Sequence, residues 1–184
     1  MPSYKGKHEY EKAIKVARRV VEAMEPFCDK VAVCGSLRRK RLIVGDVDVI
    51  AVPTEQGGAL EAIKRLGGTA VNVSGWLLLD GVSVDIGFVS GEAWGAALCH
   101  STGPKEENVR LRAIARAMGL KLSQKGLLRR DTGEMVAGVT EEDVYSALGE
   151  RYVLPEWRDV SSGRIAKEEN EAVLDQMKEV AVEN

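Results

Sequence analysis

Asp46 and Asp48 stand two apart in the apolar run GDVDVIAV. In an extended strand that spacing sends both carboxylates to one face. Two like charges held side by side against a buried sheet are costly unless a cation joins them. Asp85 is a third acid in an otherwise apolar run, VSVDIGFV. If the two strands are neighbours, three carboxylates converge as an oxygen ligand set for two divalent ions, the arrangement used in phosphoryl transfer. Alternating acids also mark an ordinary solvent-facing strand, and Asp-x-Asp alone does not separate the two readings.

The segment upstream adds a second feature. Gly35-Ser36 follows an apolar strand and precedes Leu37-Arg38-Arg39. Such a turn offers backbone N–H groups and a hydroxyl to a phosphate, with arginine to neutralise it. Together the stretch reads GSLRRKRLIVGDVDV, with nine residues between Gly-Ser and Asp-x-Asp. It resembles the nucleotidyltransferase signature and, more narrowly, the family X DNA polymerases of the DNA polymerase beta type. Two later blocks carry the same resemblance: HSTGPKEENVRLRAIARAMGLKLSQKGL is similar to the nucleotide-side segment of that family, and EEDVYSALGERYVLPEWRD to its C-terminal ending. The likeness runs from about Glu9 to Arg158.

The resemblance implies a role for each matching position. Asp46 and Asp48 would bridge two Mg²⁺ ions, with Mn²⁺ able to substitute. Asp85 would bind the catalytic ion and take the proton of a primer 3′-hydroxyl. Gly35, Ser36, Arg39 and the Gly45 backbone would hold the incoming triphosphate. His100, Ser101 and Gly103 would lie against the nucleotide, and Asn108 would meet its minor-groove edge. Arg112 would contact the template strand, with Lys105 and Arg116 as further DNA contacts. Asn108 and Arg112 are four apart and share a helix face on spacing alone, while Leu111, Ile114, Ala115 and Met118 form a core-facing side. The implied activity is template-directed DNA synthesis over short gaps, on gapped or primer-template DNA with deoxynucleoside triphosphates. A template-independent nucleotidyltransferase and a catalytically weak DNA-end binding module are the competing readings.

Several positions depart from the family pattern. About thirty residues precede GSLRR, enough for one helix but not for a lyase domain, so a minimal form without that domain is expected. Ser83 stands two before Asp85, where an arginine is common in the family. His100-Ser101 replaces Tyr-Phe, and Lys105 replaces an acidic residue.

Composition narrows the class. A chain of 184 residues with 45% hydrophobic and 29% charged residues is a folded globular protein, not a disordered, collagenous or coiled-coil one. No apolar run approaches the ~20 residues that span a bilayer, and the N-terminus MPSYKGKHEYEK lacks the apolar core of a secretory signal. A cytoplasmic monomer, in a bacterial or viral setting, is the expectation. Cys28, Cys34 and Cys99 have no CxxC spacing and read as reduced thiols rather than a disulfide frame or zinc site. The net charge of -2 is unevenly spread: six acids face two lysines from Ile165 to Asn184, leaving a weakly basic body. Arg38, Arg39, Lys40 and Arg41 are contiguous, and Arg110, Arg112 and Arg116 recur along one segment, so phosphates would be held locally.

These residues need a scaffold of mixed type. Helical spacing predicts a helix over 9–24, ended by Pro26, and another over 57–66. Strands are expected near 31–35, as one longer strand at 43–53, and near 69–79 and 82–89, with Asp80-Gly81 as a hairpin turn. Helices follow at 91–100 and 104–118, then a small antiparallel sheet over 120–138. Thr140 with Asp143 opens a helix to Leu148. The expected fold is α+β: a nucleotidyltransferase palm, a mixed sheet with helices on one face, over residues 1–90, and a small α/β C-terminal subdomain over 91–160. An acidic tail helix at 161–184 carries a narrow apolar stripe of Val173, Leu174, Met177 and Val180 and is expected to lie outside the core.

Overall fold

A computed structural model describes residues 6–67 and 76–182. The chain begins with a two-residue strand, β1 (His8–Glu9), and helix α1 (Tyr10–Met24), which a single 3-10 turn containing Pro26 closes. Next come β2 (Cys28–Val33), the one-turn helix α2 (Gly35–Arg38), β3 (Ile43–Val44), β4 (Val47–Pro53) and α3 (Gln56–Arg65). The hairpin β5 (Trp76–Leu79) and β6 (Val82–Phe88) completes the first half. The remainder of the strand expected at 69–79 lies outside the described residues.

Four of these strands form a mixed sheet in the order β2-β4-β6-β5. β4 runs antiparallel to β2 and parallel to β6, and β5 pairs antiparallel with β6. The β5–β6 turn needs two consecutive residues at positive φ, and Asp80 (52°) and Gly81 (76°) supply them. Alternation decides the faces. Val47, Val49 and Ala51 of β4 and Val82, Val84 and Ile86 of β6 pack with Ala13, Val16, Val20 and Met24 of α1 and Ile63 of α3. Asp48, Ile50 and Asp85 are out of phase with that set and belong to the opposite face.

The second half starts with helices α4 (Trp94–Thr102) and α5 (Lys105–Ala117). A three-stranded antiparallel sheet follows, β7 (Leu120–Ser123), β8 (Gly126–Arg129) and β9 (Met135–Ala137), in sequence order. Then come α6 (Glu141–Ala147), α7 (Arg158–Ser161) and α8 (Lys167–Val182). The Thr140 hydroxyl caps α6 by accepting from the Asp143 amide at 3.0 Å. Ala96 and Cys99 of α4 join Leu111, Ala115, Leu127, Val144 and Tyr145 in a second core. Ala97, on another side of α4, packs with Cys34 and Ile50 of the first half. Helix α4 is therefore common to both halves, its small side chains allowing close approach on both sides.

Three expectations are corrected. The run 43–53 is two strands, not one: it breaks at Gly45-Asp46 because β3 pairs with β1 (His8↔Val44) while β4 pairs with β2. The strand expected at 31–35 starts earlier, at Cys28, and ends before Gly35, which begins α2 at φ +61°. Met118 follows the last turn of α5 and is 50% exposed, whereas Leu111 and Ala115 are buried as expected. Helix α8 rests on the body through Met177, which is buried, and through Asn170, whose amide nitrogen donates to the Glu156 carbonyl at 2.9 Å.

Candidate active site

The three aspartates meet. Parallel pairing of β4 and β6 sets Asp48 directly beside Asp85, and Asp46 precedes β4 on the same face. One carboxylate oxygen from each of Asp46, Asp48 and Asp85 lies within 4.8 Å of the others. Asp46 and Asp48 are half-buried and Asp85 is exposed. An all-carboxylate donor set of this spacing, open to solvent on one side, suits a hard divalent cation such as Mg²⁺ or Mn²⁺.

Gly35 abuts this cluster. A β-carbon built there would overlap the Asp48 carboxylate, so the position requires glycine for space as well as for its positive φ. The Cys34 amide donates to the Asp48 carbonyl at 2.7 Å, which ties the Gly35-Ser36 turn to the strand bearing the aspartates. The Cys34 thiol is fully buried and its pKa is pushed up to about 12, mainly by desolvation, so it remains a neutral packing group.

A cleft of about 580 Å³ runs from these residues to the second half. Gly35, Ser36, Arg39, Gly45, Asp46 and Asp48 line one side, and His100, Ser101, Gly103, Lys105 and Asn108 the other. A smaller recess of about 390 Å³ joins Asp48 and Asp85 to His100 and Ser101. Arg112 and Arg116 lie outside the main cleft, along a basic groove of α5 and β7 that also includes Lys121 and Arg130. The sequence-derived residues thus form a continuous cleft and an adjoining cationic groove.

Individual contacts refine these placements. The Asn108 amide donates to the His100 carbonyl at 2.8 Å, and Arg112 Nε donates to the Asn108 carbonyl at 2.9 Å. His100 has a lowered pKa, from burial first and the nearby Arg112 charge second, and so is neutral at pH 7. Arg39 is buried: Nε donates to Asp159 at 3.0 Å, and Nη1 donates to the Thr102 carbonyl. Its guanidinium lines the cleft while clamping the two halves together.

Sequence reasoning missed the ion-pair network behind the cleft. Arg38 makes a two-pronged contact with Glu141, at 3.0 and 2.6 Å, and donates to the Thr102 hydroxyl at 2.6 Å. Arg158, fully buried, donates to the same Glu141 at 2.8 Å and stacks over Tyr145 and Tyr152. Burial opposes ionisation of Glu141, but the Arg38 hydrogen bond and the Arg158 and Arg38 charges outweigh it and hold the carboxyl below its usual range. Arg41, Asp159 and Arg164 also line the cleft. The basic run 38–41 and the block EEDVYSALGERYVLPEWRD contained most of these residues, but neither signal gave a partner.

The profile of the DNA polymerase beta thumb matches residues 97–159. DNA polymerase/3′-5′ exonuclease PolX of Bacillus subtilis is 30% identical over 158 residues, covering 80% of this chain and 28% of that protein. These matches make the chain similar to the family X DNA polymerases. DNA polymerase lambda of Rattus norvegicus is 28% identical over 185 residues, covering 82% of this chain and 32% of that polymerase. The chain thus spans less than a third of either relative's length. Its fold matches polymerase beta of Leishmania infantum, solved as a ternary P/T complex, with a TM-score of 0.72 at 22% identity over 85% of this chain and 78% of that one. Among the described residues, no helix is long and apolar enough to cross a membrane.

Proposed function

We propose that the chain is a template-directed DNA polymerase that fills short gaps in primer-template DNA, with residues 1–90 as the catalytic palm and 91–160 as the nucleotide and template side. The observation that carries this reading is the convergence of Asp46, Asp48 and Asp85 at one end of a cleft whose other wall bears His100, Ser101 and Asn108. A nucleotide held in that cleft has its phosphates toward the aspartates and its base and sugar toward α4 and α5.

Asp46, Asp48 and Asp85 would hold two Mg²⁺ ions. Bound there, the ions supply charge stabilisation for in-line attack of a 3′-hydroxyl on the α-phosphate with pyrophosphate as leaving group. The rest falls to the protein's own groups. Asp85, the most exposed of the three, accepts the proton of the 3′-hydroxyl. Ser36 and the Gly35 turn orient the phosphates beside Asp48. Asn108 and the His100-Ser101 segment position base and sugar, and Arg112 and Arg116 follow the template backbone along their groove.

Primer extension on a one-nucleotide gap with each template base in turn tests this function. Incorporation that follows the template base supports it. Incorporation independent of the template base points instead to a template-independent nucleotidyltransferase, and DNA binding without incorporation to an end-binding module.

A further inference from the structure

Arg41 and Arg164 line the cleft without a role in the nucleotide site as described so far. Arg39, the arginine of the Gly-Ser turn, is already committed to Asp159 and the Thr102 carbonyl, with its side chain only 9% exposed. Arg164 differs. It is 48% exposed, and its carboxylate neighbours Asp159 and Glu106 are 3.5 and 3.9 Å away, beyond hydrogen-bond distance. Arg164 also lies outside the matched thumb segment, which ends at residue 159.

Arg41 is held from the C-terminal helix. Its Nη1 donates to Asn170 Oδ1 at 3.1 Å, while the Asn170 amide nitrogen donates to the Glu156 carbonyl at 2.9 Å. Asn170 is fully buried, so both ends of its amide are fixed. The Arg41 backbone amide donates to the Ser36 carbonyl at 3.0 Å, placing Arg41 next to the Gly-Ser turn in the same cleft as Asp48. The three arginines feel one another. Behind the dominant effect of burial and the opposing pull of Asp159, repulsion from Arg164 and Arg41 lowers the pKa of Arg39. Clustered guanidinium groups in a cleft are suited to a polyphosphate, which several N–H donors can grip at once.

We propose that Arg41 and Arg164 bind the terminal phosphate of the incoming nucleoside triphosphate, and that Asn170 is the positioning residue that aims Arg41. The assignment rests on the nucleotidyl-transfer reading above. The α-phosphate must reach the aspartates for attack, and the Gly35-Ser36 turn takes the next position. Arg41, one turn further on, and Arg164 from the segment after α7 are then left for the far end. On this view the C-terminal segment is part of the nucleotide site.

The test is equilibrium binding of dATP, dADP and dAMP to the full chain in Mg²⁺, independent of turnover. Wild type should bind dATP more tightly than dADP. Arg41→Gln and Arg164→Gln should each weaken dATP by about 10- to 100-fold, as expected for loss of a charge-assisted contact, and change dADP by less than about threefold. Equal weakening of dATP and dADP, or no change in either, overturns the assignment. Asn170→Ala, verified as folded by its melting curve, should reproduce the dATP-specific loss and add nothing in the Arg41→Gln background. An additive loss there removes Asn170 from the positioning role. Should Asn170→Ala fail to fold, Asn170→Asp, which keeps the acceptor for Arg41, should retain dATP selectivity; its loss overturns that role. Primer extension by wild type is scored separately. Selective dATP binding without templated extension sinks the polymerase reading and leaves this one standing; extension with no effect of either arginine does the reverse.

Discussion

The carboxylates on the two sides of the cleft are treated in opposite ways. Glu107, Glu141 and Asp159, on the C-terminal side, are almost wholly buried, each within salt-bridge distance of one or more arginines. Asp46, Asp48 and Asp85, on the palm side, are half-buried or exposed and crowd within 4.8 Å of one another. Buried carboxylates bound to protein cations fix geometry, and removing one strands its partners. Carboxylates gathered against like charge at a solvent-open cleft favour the arrival of an external cation.

The sharpest way to break that contrast is to neutralise one member of each set. Asp85→Asn should cut nucleotide incorporation on the order of 10³-fold or more, while thermal unfolding stays at or above the wild-type temperature. A clear drop in that temperature would place Asp85 among the structural carboxylates. Glu141→Gln should do the opposite. Arg38 and the buried Arg158 lose the charge that balances them, and stability measured by urea titration should fall by about 3–5 kcal/mol.

A pH titration sharpens the same point. The pKa of Glu141 in the folded chain lies below its ordinary 4.5. Its contribution is therefore fully present above pH 4.5 and is lost as pH falls through the lower, folded value. The acid limb of the wild-type stability curve should include this loss, and Glu141→Gln should flatten that part of it. An unchanged acid limb in the variant would show that Glu141 is not the group responsible.

The smallest effect concerns the sugar. His100-Ser101 stands where the family has Tyr-Phe, and the His100 carbonyl accepts from Asn108. Without the aromatic ring to hold that backbone, preference for deoxynucleotides over ribonucleotides should be modest, on the order of 10–10³-fold in kcat/KM. Ser101→Phe should raise the ratio. A wild-type preference above ~10⁴ would mean the carbonyl keeps its position without the ring.

Much of the palm side was legible because its signals are local. Period-two alternation put Asp46 and Asp48 on one face, and Asp80-Gly81 announced the hairpin that carries Asp85. What stayed hidden depended on partners distant in the chain. The break at Gly45-Asp46 exists because β1, over thirty residues upstream, captures β3. The pairing of Arg39 with Asp159, 120 residues away, has no local signal. Asn170 sits in a charged, weakly apolar helix, and an amide buried by two hydrogen bonds leaves no trace in hydrophobic periodicity.

The pairing of Asp48 with Asp85 across parallel strands has a further consequence for how the chain avoids near-correct folds. Slipping β6 by one residue would turn Asp85 into the apolar layer of Ala13, Val16 and Val20 and expose Val84 and Ile86. Slipping it by two would restore the faces but carry Asp85 about 6.6 Å along the strand, at about 3.3 Å per residue. That displacement exceeds the 4.8 Å within which the three carboxylates now meet. Alignment of the site is thus quantised: the hydrophobic pattern rejects odd slips, and even ones scatter the carboxylates rather than blur them. A folded molecule with its valines in place either has the carboxylates gathered or has them clearly apart, with no intermediate setting between.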